Sequence, residues 1–488
     1  MSSWNARRRL ITAALVAVVV LGAAAVGVWL AVRDDANPQA LRIEGEGPEV
    51  GSVPDDGGAP PGAPGVGTAW TVSADGRSFQ DESGRPVLVR GDSPWSLLTD
   101  LSSEEIRDYL AAREEQGFNA LLVSLLGATG NGGPSDSGAT VDDVSPFLDG
   151  DVTRLNPEYW DHVHAAVAAA SEHGVTMFLY PVDGWTIGTS FVPRSIDECR
   201  TYGAEVGARL ADLSNIVWVT GGDYFPVTNE PEDGSDVDRC FDAVREGLDT
   251  AVERPFSIQL GYDKSVSTDN PFWRPRVDWN FVYTYFPTYR AVLDAVEAAP
   301  SIPAVMGEGN YEGENNQPET PPTTDETIRR QVLWAMTSGA CGAFFGTDDW
   351  EFLPGWETRL DSSGAHAAAT ALDVVEEFAW WRLWPDTDDP LVTSGRGTLL
   401  TDDAPTDVLD NDYVTAALTP DGSQALVYVP STRTITVDRA RLAPDLRARW
   451  IDPASGVEAP AGDGPTYTTP GPNSDGATDW LLAFDGAA

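Results

Sequence analysis

Apolar residues recur along this chain in short runs, most of them closed by Gly, Pro, Asp or Asn. Eight runs have the length and composition of buried strands: 86–90, 120–126, 176–181, 216–220, 256–260, 281–285, 302–306 and 342–346. Amphipathic segments lie between several of them. Ser102 to Gln116 opens on a capping box formed by Ser102 and Glu105 and closes at Gly117, and Pro157 to His173 closes at Gly174. Strand followed by helix followed by strand is the order of a parallel sheet. Eight such units predict a (β/α)8 TIM barrel, whose active site lies at the C-terminal ends of the strands. A doubly wound open sheet is the alternative, but no Gly-x-Gly-x-x-Gly turn follows the first strand.

The pattern changes at both ends of this region. Arg7, Arg8 and Arg9 precede an uncharged, mainly apolar stretch from Leu10 to Val32, which exceeds a signal-peptide core and is long enough to span a bilayer. Residues 1–33 are therefore expected to form a cytoplasmic stub and a transmembrane signal anchor, with everything after them outside; secretion after signal cleavage is the alternative. Residues 34–67, rich in Gly, Pro and acids, read as a disordered linker. The barrel is placed at 68–388. From 389 to 488 short alternating strands with polar turns, among them 413–418, 425–430 and 434–437, predict a small antiparallel β-sandwich. Its docking is assigned to Trp380-Trp381-Arg382-Leu383-Trp384.

Charge narrows the partners. With 76 acidic against 31 basic residues the net charge is −45, which repels nucleic acid and anionic membrane surfaces. The expected partners are the membrane, through the N-terminal helix, and a polysaccharide or oligosaccharide substrate. An exported chain permits a disulfide between Cys199 and Cys240, while Cys341 lies in an apolar run and reads as a buried thiol. His162 and His164 are two apart on a helix and face different directions, so no metal and no cofactor are expected.

Candidate chemistry gathers at the strand ends. Two runs finish in a carboxylate framed by glycines: Trp218-Val219-Thr220-Gly221-Gly222-Asp223 after the fourth strand and Met306-Gly307-Glu308-Gly309 after the seventh. A retaining glycosidase needs one carboxyl group that donates a proton and one that attacks, about 5 to 5.5 Å apart. Asp223 and Glu308 are the expected catalytic pair, because strands on different sides of a barrel mouth can bracket one bond. Asp92, Trp95, Asp183, Trp185, Tyr224, Tyr285, Tyr311 and Trp350 complete an expected sugar site, in which acids accept from hydroxyls and aromatic faces stack on a ring.

Particular runs carry a family resemblance. The segment from Phe79-Gln80-Asp81 through Arg90-Gly91-Asp92-Ser93-Pro94-Trp95, then Gln116-Gly117-Phe118-Asn119, resembles the start of the apiosidase-like glycoside hydrolases. Leu155-Asn156-Pro157-Glu158-Tyr159-Trp160, the Asp223 and Glu308 runs, and Arg329-Arg330-Gln331-Val332-Leu333-Trp334 extend it over nearly the whole barrel. The resemblance implies a retaining hydrolase with Asp223 as general acid/base and Glu308 as nucleophile. The same resemblance suggests as substrate a pentofuranoside such as an apiose-type linkage, the family's characterised substrate in plant pectin. The C-terminal runs Trp450-Ile451-Asp452-Pro453 and Asp479-Trp480-Leu481-Leu482 resemble an accessory module labelled collagen-binding; a stabilising or sugar-contacting role is the simpler expectation. The rival to an enzyme is a non-catalytic cell-surface glycan-binding or adhesion protein on the same scaffold.

Overall fold

Continuous burial of the short apolar runs is what makes them parallel barrel strands, apolar on the helix-facing side as well as the inner side. The computed structural model describes residues 69–127, 138–191, 194–224, 234–261, 264–314, 322–387, 390–400 and 407–486. The expected anchor and linker, residues 1–67, lie outside the described residues. Among the described residues no helix is long and apolar enough to cross a membrane.

The barrel strands are β1 (Val89–Asp92), β2 (Ala120–Ser124), β3 (Thr176–Tyr180), β4 (Ile216–Tyr224), β5 (Phe256–Leu260), β6 (Asn280–Thr284), β7 (Ala304–Glu308) and β8 (Gly342–Phe345). They are ordered β5-β4-β3-β2-β1-β8-β7-β6, all parallel, so that β1 and β8 join the two ends of the region. The remaining seam, β5 to β6, is bridged mainly by side chains. Ser257 Oγ donates to the Trp279 carbonyl at 2.6 Å, Ser267 Oγ donates to the Ile258 carbonyl at 2.6 Å and accepts from the Phe281 N–H at 2.9 Å. The barrel is thus nearly closed. After β5 the chain differs from a strand–helix unit: Lys264–Val266 runs antiparallel on β6, and a 3₁₀ turn, Ser267–Asp269, follows.

Seven helices of nine or more residues cover the barrel among the described residues: α1 (Ser103–Glu115), α2 (Pro157–Glu172), α3 (Ile196–Arg209), α4 (Asp236–Asp249), α5 (Tyr289–Glu297), α6 (Asp325–Thr337) and α7 (Ser363–Glu376). The Ser102–Glu105 capping box opens α1, and Ser195 with Glu198 and Ser235 with Asp238 do the same for α3 and α4. Cys199 on α3 and Cys240 on α4 form a disulfide.

The first strand is corrected by its proline. Pro86 has no N–H to give a central ladder, and Pro86–Val87 pairs instead with Phe79–Gln80 in a three-stranded antiparallel meander that includes Thr71–Val72. Trp70 and Phe79 from this meander pack on Phe178 and Trp279 at the N-terminal end of the barrel. β1 starts at Val89 and runs on to Asp92.

The C-terminal region is a sandwich of two antiparallel sheets. The larger has the order 384–385, 415–418, 425–429, 480–485, 447–451, 458–460, and the smaller 392–394, 434–437, 466–468. Its first edge strand, Trp384–Pro385, lies upstream of the expected start at 389. Alternation gives the larger sheet two apolar faces. Ala425, Val427, Val429, Leu482 and Phe484 fill the sandwich core, whereas Leu426, Tyr428, Leu481 and Ala483 join the barrel core with Trp334 and Phe378. Docking therefore relies on a sheet face against the barrel as well as on Trp380 and Leu383. Trp384 is 45% exposed and lies under the Arg77 guanidinium, 3.7 Å from its ring.

Candidate active site

β4 ends in a backbone conformation that few residues tolerate. Gly221, Gly222 and Asp223 have φ of +84°, +88° and +51°, and the register with β5 shifts between Gly221 and Tyr224. A side chain at Gly221 would place its Cβ 2.0 Å from the Gln259 carbonyl oxygen, so only glycine lets the bulge pack on β5. Asp is among the non-glycine residues that occupy this region most readily. The bulge presents the Asp223 carboxyl to Tyr283 and turns Tyr224 the other way, against Phe241 and the Ser235 hydroxyl at 3.0 Å.

Glu308 ends β7, 7% exposed, and faces Asp223 through a layer of hydroxyls. Tyr283 Oη donates to Asp223 Oδ1 at 2.8 Å, the Tyr283 and Tyr285 hydroxyls lie 2.5 Å apart, and Tyr285 Oη donates to Glu308 Oε1 at 3.4 Å. From β5, Gln259 Nε2 donates to Glu308 Oε2 at 2.7 Å, and its own Oε1 accepts from the Tyr180 hydroxyl at 2.6 Å. That second bond orients the amide so that its donor faces the carboxylate.

Burial dominates the electrostatics. It raises the Asp223 carboxyl above the ordinary carboxylate range, partly offset by the Tyr283 hydrogen bond. It pushes Glu308 up strongly, and the negative charge of Asp223 adds to the effect while the Gln259 bond opposes it. Two like charges this close favour holding one proton between them near neutral pH. The Tyr283 and Tyr285 hydroxyls and the Gln259 amide, all neutral, donate to the two carboxyl groups.

An aromatic wall adjoins the pair. Trp95 Nε1 donates to the Tyr311 hydroxyl at 2.7 Å, and its ring meets Tyr180 at 4.7 Å and Trp185 at 5.4 Å. Trp185 and Trp350, both half-buried, lie nearly parallel with centroids 6.4 Å apart, and Trp350 Nε1 donates to Glu314 at 2.9 Å. Of the expected site residues, the structure thus gathers Asp223, Glu308, Trp95, Trp185, Tyr285, Tyr311 and Trp350.

Three others are placed elsewhere. Asp92 is sealed behind β1, paired with Arg113 of α1 at 2.7 Å and hydrogen-bonded by the Tyr109 hydroxyl. Tyr224 faces α4, as described. Asp183 is fully buried: it accepts from Ser124 Oγ at 2.6 Å and from the Thr186 N–H at 2.7 Å, capping the short helix Gly184–Thr186 that carries Trp185. Its contribution is to hold Trp185 and the β4 bulge, which it meets through a bridge to Gly221. Conversely Tyr180, Gln259 and Tyr283 line the site from within their apolar runs rather than after them. Their signal was positional: Phe281, Tyr283 and Tyr285 alternate along one strand and share a face. Among the described residues no group of His, Cys, Asp and Glu is arranged to hold a metal ion.

Solved structures share this architecture. A protein described as a glycoside hydrolase is 18% identical, with a TM-score of 0.72 over 87% of this chain and 98% of its own. A glycoside hydrolase family 5 protein from Bacteroides vulgatus ATCC 8482 is 19% identical, with a TM-score of 0.71 over 86% of this chain and 93% of its own. At such identities the likeness speaks for the fold alone. No curated protein matches the chain. The family model for the "Apiosidase-like, catalytic domain" matches residues 73–382, and the chain belongs to that family. Fold and family together support a glycosidase. The match ends before the sandwich, and the collagen-binding label finds no support.

Proposed function

We propose that the protein is a retaining glycoside hydrolase, with Asp223 as general acid/base and Glu308 as nucleophile. The observation that carries this reading is the convergence of the two carboxyl groups, from β4 and β7, on one hydroxyl-lined pocket beside an aromatic wall. The Tyr283 hydroxyl donates to Asp223 and also acts on Glu308. A hydroxyl within reach of both groups is compatible with the separation of about 5 to 5.5 Å that double displacement uses.

In the first half-reaction Asp223 gives its proton to the glycosidic oxygen while Glu308 attacks the anomeric carbon, breaking that bond and forming a glycosyl ester. In the second, Asp223 takes a proton from water, the water oxygen attacks the same carbon, and Glu308 leaves as carboxylate. The shared proton must sit on Asp223 when a glycan is bound. In the empty site burial favours Glu308; a sugar hydroxyl donating to Glu308 and positive charge developing at the anomeric carbon both favour its ionised form. Gln259, oriented by Tyr180, is a fixed donor to that anion.

The substrate class is a neutral glycan, since the Tyr283 and Tyr285 hydroxyls and the Gln259 amide that donate to the pair are neutral and the acid Glu314 lies at the Trp350 edge. A pentofuranoside, the apiose-type linkage of the family name, is the first candidate. The Cys199–Cys240 disulfide fits an exported domain, and we place it outside the cell, tethered by the apolar segment 10–32. Product analysis by NMR on a panel of furanosides and pyranosides tests the mechanism: the first-formed sugar keeps its anomeric configuration. With azide, Asp223→Ala yields a glycosyl azide of retained configuration and Glu308→Ala one of inverted configuration. An inverted sugar from wild type, or Glu308→Ala cleaving as fast as wild type, overturns the reading.

A further inference from the structure

One buried amide links the ends of β6 and β7 to α6, the helix that the C-terminal sandwich holds. Gln331, on α6, is 1% exposed, and both ends of its side chain are used. Its Oε1 accepts from the Asn310 N–H at 2.9 Å and from Asn310 Nδ2 at 3.1 Å. Its Nε2 donates to the Thr284 carbonyl at 3.2 Å and to the Phe286 carbonyl at 3.3 Å. Asn310 Nδ2 in turn donates to the carbonyl between those two, that of Tyr285, at 2.9 Å. The backbone at 284–286, which carries Tyr285, and the loop two residues beyond Glu308 are thereby held to one side chain. Gly309 lies against this amide: a Cβ there would come within 2.9 Å of Gln331 Oε1 and would displace it.

The two residues before Gln331 face the sandwich. Arg329 pairs with Asp479 at 2.9 Å and Asp475 at 2.7 Å. Arg330 donates to the carbonyls of Leu409 at 3.1 Å, Asn411 at 3.2 Å and Pro430 at 2.8 Å. Further along, Trp334 Nε1 donates to the Tyr413 carbonyl at 2.9 Å. α6 is therefore gripped by the sandwich on one side and grips the ends of β6 and β7 on the other.

We propose that Gln331 is a positioning residue for Glu308 and Tyr285, and that the sandwich secures it there by fixing α6; the role in turnover rests on the catalytic reading above. The sandwich is then a structural part of the active site, whatever glycan it touches. Fixed groups in a site lose much of their effect when displaced by an ångström, and four hydrogen bonds from one buried side chain are enough to set such a position.

The test uses the full chain. Gln331→Leu keeps the volume and removes all four bonds. It is expected to lower kcat on the best glycoside of the panel about tenfold or more, with KM within about twofold, and to speed deuterium exchange at the Asn310 amide about tenfold. Gln331→Glu keeps the acceptor for Asn310 and adds negative charge beside Glu308, so it restores Asn310 protection while moving the acid limb of the pH–rate profile to higher pH. Arg330→Met, which leaves Gln331 in place, also speeds Asn310 exchange. Unchanged kcat in Gln331→Leu overturns the positioning role, and unchanged Asn310 exchange in Arg330→Met overturns the part given to the sandwich. If Gln331→Leu does not fold, Gln331→Glu decides: an unshifted pH profile overturns the role. Exchange needs no turnover, so a wild-type protein that cleaves nothing removes the catalytic reading, and with it the role in turnover, while the clamp is still judged by Asn310.

Discussion

Replacing Glu308 by Gln should abolish turnover and stabilise the protein, and the stabilisation should grow with pH. Glu308 is buried and faces a second carboxyl group, so its folded-state pKa lies well above the ordinary 4.5. A carboxyl raised on folding adds no cost below its unfolded pKa and costs stability as pH rises from there to its folded pKa, because folding then requires either proton uptake or a buried charge. At about 1.4 kcal/mol per pH unit, the cost at pH 7 has a ceiling of about 3 kcal/mol. Gln keeps an acceptor for the Gln259 amide and carries no charge at any pH. For a folded unit of this size, an unfolding entropy near 0.9 kcal/mol/K converts that ceiling to about 3 °C in Tm. Differential scanning fluorimetry of wild type and Glu308→Gln from pH 4.5 to 8 reads it directly. The two melting points should nearly coincide at the acid end and separate as pH rises. A gap that stays constant across the range, or a variant that is less stable throughout, would refute the argument from burial.

Tyr283 donates to Asp223 and acts on Glu308, in both cases favouring the ionised form. Tyr283→Phe should therefore raise both carboxyl groups, lower kcat roughly tenfold and move the whole pH–rate bell to higher pH, which initial rates from pH 4 to 9 will show. The disulfide closes a segment of 41 residues, and removing it with Cys199→Ala/Cys240→Ala should cost about 2 to 4 kcal/mol by denaturant unfolding; a smaller loss would mean that α3 and α4 are held by packing alone. A uronate bound near Asp223 and Glu308 would meet like charge, worth about 1 to 2 kcal/mol. A carboxyl-reduced glycan should accordingly be cleaved roughly tenfold faster than its uronate parent at low salt, with the gap narrowing as salt rises; equal rates at low salt would contradict a neutral-glycan site.

How much of this was legible in the chain depends on which side of a strand a residue faces. The barrel runs could be read because their strands are buried on both faces and therefore continuously apolar, except at the start of the first, where Pro86–Val87 belongs to the meander, and Asp223 and Glu308 because glycines frame them at the run ends. Reading the site as whatever follows each run then mixed two populations. In β4, Val217 and Val219 belong to the barrel core and Trp218 to the layer beneath the helices. Continuing that alternation places Asp223 inward and Tyr224 outward, as found. The same alternation in β1 puts Val89 inside and Asp92 outside, where only the fold could reveal its partner, Arg113 on α1.

Tyr180 and Gln259 escaped notice for the opposite reason. They fall within the apolar runs rather than after them, where an aromatic or amide reads as core filling until its partner across the barrel is known. Gln331 was visible as part of a motif, but its four partners come from the ends of β6 and β7, which only the closed barrel brings to α6. Local pattern therefore identifies groups that end a strand, whereas groups that hold a catalytic residue in place are defined by contacts between elements distant in sequence. The sandwich follows the same logic. Its alternating strands could be read as a two-faced sheet, but that one face covers α6, and through α6 reaches the residues flanking Glu308, is a property of the assembled chain alone.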